Sequence, residues 1–345
     1  MKPKMKLGLQ LGYWGSGLPA HIPPAIAEAE RLGFDSIWSS ESYGSDALTP
    51  LAWWGAATSR VRLGTNLAQL SARTPTAMAM AAMTLDHLSG GRVAVGLGVS
   101  GPQVVEGWYG QSFARPLART REYVDIMRQV FAREAPVTND GPNYPLPRPD
   151  SRFGKPLKAI THPLRTDIPI LLGAEGPKNV ALAAEIADGW FPIFYSPRHD
   201  HIYAESLAEG FACPGARRSA GDFEVLPLAM VVIGDDIEAA ADSLRPMLAL
   251  YIGGMGAKEA NFHFDVFVRM GYEADAHRIQ DLYLAGDKGA AIAAVPTKMI
   301  EELALIGPAA KIKDDLAAWQ ESRVTTMLLG NFDVATMRTM AELVL

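Results

Sequence analysis

The sequence predicts an α/β protein, a (β/α)8 TIM barrel in which residues 1–345 form one domain. Two observations carry that expectation. Short β-type runs alternate with helical patterns along the chain, which calls for a parallel sheet with helical crossovers. Two of those runs also end in glycine-bearing turns that open helices, Val93-Ala94-Val95-Gly96-Leu97-Gly98-Val99-Ser100-Gly101-Pro102 and Ile168-Pro169-Ile170-Leu171-Leu172-Gly173-Ala174-Glu175-Gly176-Pro177-Lys178-Asn179. Such turns leave backbone N–H groups and the positive end of a helix dipole free, which suits a phosphate-bearing ligand.

In chain order, strands are expected at Lys6–Leu11, Ser36–Ser39, Arg62–Leu67, Val93–Gly98, Ile168–Leu172, Gly189–Phe194, Glu224–Ile233 and Thr325–Leu329. Helical patterns follow the first six at about Pro23–Leu32, Thr49–Thr58, Pro75–Leu88, Arg119–Phe131, Asn179–Ile186 and His199–Phe211. This count favours a closed barrel over an open doubly wound sheet. Insertions are expected after strands 4 and 7. The first, about 135–163, is dense in Pro, Gly, Asn and Asp and reads as an ordered excursion. The second, about 253–307, reads as short helices at Asn261–Met270, Ala274–Ala285, Lys288–Val295 and Pro296–Leu305, and is expected to form a lid that sets substrate choice.

Composition excludes several classes. A hydrophobic content of 48% with 20% charged residues describes a folded globular chain, and a net charge of -6 gives no sign of a nucleic-acid surface. No run approaches the roughly 20 apolar residues that cross a bilayer, so no membrane partner and a cytoplasmic location are expected. Cys213 is the single cysteine, which rules out an intramolecular disulfide and fits a reducing compartment. The histidines lack ligand spacing, so no metal is expected. Neither a G-x-S-x-G nucleophile turn nor a phosphate-binding P-loop occurs.

Four strand ends could carry chemistry. In the turn Gly173-Ala174-Glu175-Gly176-Pro177, with Lys178 and Asn179 just inside the next helix, backbone amides could hold a phosphate; the alternative is an ordinary barrel turn. The glycine spacing is not that of a Rossmann dinucleotide site. After strand 4, Gly98, Val99, Ser100 and Gly101 would let a flat ring approach the backbone, with Gln103, Glu106, Trp108 and Tyr109 following. Asn66 is a polar residue in an apolar run, either tying strands together or facing a heteroaromatic ligand. Glu41, at the end of strand 2, could act as acid, base or hydrogen-bond partner, or could cap a loop. Cys213 reads as an inert thiol, and His87 as a hydrogen bonder beside a glycine cap.

The segments Gly64-Thr65, Arg73-Thr74-Pro75, Thr84-Leu85-Asp86-His87-Leu88-Ser89-Gly90-Gly91-Arg92 and Gly96-Leu97-Gly98 resemble the bacterial luciferase-like monooxygenase superfamily. Gly173-Ala174-Glu175-Gly176-Pro177 and Ala187-Asp188-Gly189-Trp190 are similar to its later half, especially to the branch that uses the deazaflavin coenzyme F-420, methylenetetrahydromethanopterin reductases among them. The resemblance covers most of residues 5–235. It implies a cofactor ring in the barrel mouth, its phosphate on the strand 5 turn, and a non-proline cis peptide bond at Asn66–Leu67.

The resemblance further implies an oxidoreductase that passes a hydride between C5 of the deazaflavin and a small organic substrate. Alternatives are an FMN-dependent monooxygenase of the same superfamily and a non-catalytic flavin-binding protein. Members often pair as homodimers. Sugar-phosphate dehydrogenases of the branch carry an Asp-His pair where Glu41-Ser42 stands here, and an acid near Pro102, so glucose-6-phosphate oxidation is not expected. The proton donor or acceptor is thereby left unassigned beyond Glu41, and the placement of Tyr13, Trp14 and His263 bears on it.

Overall fold

The computed structural model describes residues 4–255, 258 and 261–345; the first three residues and four positions of the expected second insertion lie outside the described residues. The strands are β1 (Lys6–Gly12), β2 (Ser36–Ser39), β3 (Arg62–Thr65), β4 (Ala68–Gln69), β5 (Val93–Gly98), β6 (Ile170–Gly173), β7 (Gly189–Phe191), β8 (Glu224–Val225), β9 (Leu228–Ile233), β10 (Ala304–Gly307) and β11 (Thr326–Leu329). They form one curled sheet in the order β10-β9-β11-β1-β2-β3-β5-β6-β7-β8, with β4 paired to β5. Every pairing between these strands is parallel.

A parallel sheet is covered on both faces, so its strands read as nearly unbroken apolar runs. Accordingly, all residues of β2, β5 and β11 are buried. One face packs against the helices, with Leu7, Ile37, Leu63, Val95 and Ile170 in the main core. Trp38, Ala94, Leu171, Phe191, Leu226 and Leu328 gather in a separate cluster with Leu67 packed against it. A third core lies among the helices between Ile237 and Leu303, around Leu248, Phe267, Ile279 and Ile300.

The segment that carries most of the family resemblance turns out to be structural. Thr74 caps the helix Pro75–Ser89 by accepting a hydrogen bond from the Ala77 amide, proline fills its first position, and Gly90 ends it at φ 70°. The buried Asp86 carboxylate accepts from the Val93 amide and from Arg165 at 2.7 Å. Arg92 donates to the carbonyls of Gly55, Thr58 and Val61. His87 meets the carbonyl of His162 at 2.8 Å, in keeping with its expected place beside a glycine cap.

Three strands differ from expectation. β3 stops at Thr65; the Asn66–Leu67 bond is cis, as the resemblance implies, and the chain re-enters the sheet as β4. The expected run Glu224–Ile233 is split at Pro227, which has no N–H to give to a ladder: β8 pairs with β7, while β9 pairs with β11 and β10. Leu226 donates to the Trp190 carbonyl, and Thr325 to the Val225 carbonyl, so this run touches neighbours on both sides. β10 was expected as the end of a helix reaching Leu305. The helix stops at Leu303, and a four-residue apolar run such as Ala304–Gly307 fits either element by periodicity.

Candidate active site at the strand C-termini

The ends of β1, β2 and β3 are tied together by a short polar network. Gln10 donates to the Ser40 hydroxyl at 2.6 Å and to the Asn66 carbonyl at 2.8 Å; the Asn66 side chain donates back to Gln10 at 3.0 Å. Asn66 therefore ties strands together, and its half-buried position keeps it at the mouth. Gln10 was missed in the sequence because a lone glutamine at a strand end has no spacing signal.

Glu41 is sealed in. Its Oε1 accepts from the Gln69 amide at 2.9 Å and from Arg73 at 2.6 Å, and Oε2 accepts from the Ala47 amide at 3.2 Å. Oε1 thus holds the segment after the cis bond, and Oε2 the loop that follows β2. Leu67 accepts from the Glu41 amide and turns its side chain toward Gly98 and Gly173. A Cβ at Gly98 would lie 2.6 Å from Leu67 Cδ1, and one at Gly173 only 2.2 Å away. The space these glycines leave is filled by Leu67, so both serve packing at the floor of the mouth.

Past Gly173 the picture changes. The Ala174 carbonyl is fixed by the Trp190 indole N–H at 2.7 Å. Gly176 then opens the helix Pro177–Ile186 with no side-chain cap, and nothing lies within 4 Å of where its Cβ would be. Lys178 is exposed and Asn179 half-buried beside this open helix end. This cradle fits an anionic group. On the β5 side, Ser100 sits at φ 60°, sparsely populated for a non-glycine residue, between half-buried Val99 and Gly101. Tyr109 donates to the Ser42 carbonyl at 2.9 Å, and Trp108 and Tyr43, both exposed, lie 6.4 Å apart by ring centroids.

The helix Phe262–Arg269 reaches over this end of the sheet. Arg269 donates to the Glu175 carbonyl at 2.7 Å, and His263 Nδ1 lies 2.6 Å from Glu175 Oε2. Tyr251 and Phe194 meet the His263 ring edge-on at 4.9 and 5.7 Å. Burial, with the neighbouring Tyr13 and Glu175 adding to it, pushes the Tyr251 hydroxyl above its ordinary range. Burial likewise raises Tyr203, which lies under Arg269. Trp14 is further back, against Trp54.

Buried polar atoms without a partner concentrate here. Among the described residues they include Gln69 Oε1, Ser71 Oγ, Glu175 Oε1 and Arg269 Nε. Since such groups are seldom left unpaired, their gathering at one end of the sheet points to a polar ligand.

The model of the luciferase-like monooxygenase family matches residues 15–326. A protein of Mycobacterium tuberculosis, named among the coenzyme F-420-dependent oxidoreductases, is 57% identical over 347 residues that cover 100% of both chains. The structure of a coenzyme F-420-dependent tetrahydromethanopterin reductase from Methanopyrus kandleri superposes with a TM-score of 0.77 at 23% identity, covering 99% of each chain. An F-420-dependent secondary alcohol dehydrogenase, solved with an F-420–acetone adduct, reaches the same TM-score at 18% identity, covering 99% of this chain and 98% of that one. The strand-end network, the cis bond and the family match lead to one conclusion: this chain belongs to the luciferase-like monooxygenase family.

Proposed function

We infer that the protein is a coenzyme F-420-dependent oxidoreductase acting on a small organic substrate. The observation that carries this reading is the full-length 57% identity to a protein named for that activity. The deazaflavin, when bound, supplies hydride chemistry at C5; the chain's part is to hold it, orient the substrate and exclude water. The phosphate-bearing tail belongs on the turn Gly173, Ala174, Glu175, Gly176, Pro177, Lys178 and Asn179, supported by the uncapped helix end. The ring belongs over Asn66, Leu67, Val99, Ser100 and Gly101, supported by the orphaned Gln69 and Ser71 atoms beside them. Glu41 acts on proton handling through the segment it holds, since its oxygens are already engaged.

The single domain is a closed (β/α)8 barrel whose 224–233 run bridges β7 and β11, with insertions near 135–163 and 253–307; the hydrogen bonds of Leu226 and Thr325 support closure. A second copy covers the apolar face formed by exposed Met80 and Leu88 on one helix and Leu157, Ile160 and Leu164 beside it. The lone free thiol of Cys213 favours a cytoplasmic setting. Titration with coenzyme F-420 and with FMN, followed by fluorescence and absorbance, tests the cofactor assignment. Saturable F-420 binding with no FMN response is expected; tight FMN binding alone would turn the reading to a monooxygenase.

A further inference from the structure

We propose that His263 and Glu175 form a proton-transfer dyad, in which Nε2 of His263 exchanges a proton with the oxygen of an alcohol or carbonyl substrate. The inference rests on the oxidoreductase reading above and supplies the group it lacks, because Glu41 is fully engaged. His263 Nδ1 stands 2.6 Å from Glu175 Oε2, the separation of a charge-assisted contact, although its alignment falls short of a linear hydrogen bond. A carboxylate at Nδ1 selects the tautomer with its proton there and leaves a lone pair on Nε2. Nε2 has no hydrogen-bond partner among the described residues, and the His263 side chain is 19% exposed although Nδ1 is buried. A rim of aromatic rings surrounds it, with Tyr251 and Phe194 edge-on.

Position supports the role. Glu175 lies two residues past Gly173, whose neighbour is Leu67 of the cis segment, and its carboxylate is turned to His263, which leaves the phosphate to the backbone amides of the same turn. The titratable and charged groups around it are Glu175 itself, Arg269 on the same helix, Tyr251 and Tyr203 on neighbouring elements, and Tyr13 from the loop after β1. Arg269 holds the Glu175 carbonyl and so fixes the backbone from which the carboxylate extends to the imidazole.

The step balances simply. In reduction, the carbonyl carbon of the substrate receives a hydride whose two electrons come from the reduced deazaflavin. The C=O π pair collects on oxygen, and that oxygen takes the proton from Nε2 of the imidazolium. Solvent then reprotonates the neutral ring. In oxidation, the hydroxyl proton passes to Nε2 as the C–H bond breaks and its electron pair leaves with the hydride to the oxidised cofactor.

Nitrogen-15 NMR of the histidine rings in the cofactor-free protein tests the dyad without turnover. The neutral His263 ring is expected to carry its proton on Nδ1, and Glu175→Leu to shift it toward the Nε2-protonated tautomer. A neutral ring protonated on Nε2 in the wild type, or a tautomer balance unmoved by Glu175→Leu, overturns the proposal. Two further measurements use F-420 binding, read by fluorescence, and the oxidation of propan-2-ol and cyclohexanol. His263→Gln should bind F-420 within about threefold of the wild type and lose about a hundredfold or more in kcat on whichever alcohol turns over. Retained kcat overturns the dyad; should neither alcohol react, the ring tautomer decides alone. Failure of the wild type to bind F-420 falls on the cofactor reading and leaves the ring tautomer to judge the dyad.

Discussion

Single residues at the mouth divide into those that hold the backbone and those left free. Arg73 belongs to the first group: it is the counter-charge of Glu41, whose side chain is only 3% exposed. Removing one partner of a buried pair leaves an uncompensated charge, so Arg73→Met should cost about 3 kcal/mol in urea unfolding. A loss under about 1 kcal/mol would show that the pair holds little. At the opposite end of the strands, burial alone would raise the Asp188 carboxyl, but Arg128, the Ile170 amide and Arg217 outweigh it and hold its pKa below the usual value. A depressed folded pKa adds stability above the unfolded value near 3.9, and that stability is lost as pH falls through the folded pKa. Unfolding free energy should therefore drop from about pH 4 downward, and Asp188→Asn should flatten that drop while lowering stability at pH 7. The sequence marked Asp188 only as part of a family motif. Nothing in it indicated three arginines converging from residues 128, 217 and 218, because such contacts depend on tertiary placement.

Among the elements, the two glycines of the turn after β6 act differently although they look alike in sequence. Gly173 makes room for Leu67, whereas Gly176 borders open space. Gly173→Ala should destabilise by about 1–3 kcal/mol through overpacking, and Leu67→Ala in the same chain should recover part of that loss in a double-mutant cycle. Gly176→Asp makes the opposite prediction. Aspartate is a favoured helix cap and should leave the melting temperature unchanged or higher, yet its charge should weaken F-420 binding about tenfold or more by fluorescence titration. Unchanged affinity would place the phosphate elsewhere. The strand-to-helix alternation was legible over most of the chain, since apolar runs and glycine or proline boundaries mark it directly. The split at Pro227 could have been read from proline's missing N–H. The strand β10 could not, because its pairing with β9 is a contact 74 residues apart, Ala304 to Met230.

For the molecule as a whole, the sequence marked the strand ends at which the site is proposed but not how the region near residues 237–303 meets them. His263 and Arg269 reach Glu175 across 88 and 94 residues of chain, a separation that no local pattern encodes. If a second copy covers the face around Leu88 and Ile160, the protein should sediment as a dimer and Leu88→Lys with Ile160→Lys as a monomer that still binds F-420; a monomeric wild type would rule that face out as an interface. The strand β10 has one more consequence. Because Ala304–Gly307 is stitched to β9 over four register pairs, the preceding helices are rooted in the sheet rather than hung from a hinge. Anyone grafting this block onto a related scaffold to change selectivity would have to transplant it together with its root, cutting near residues 234 and 308.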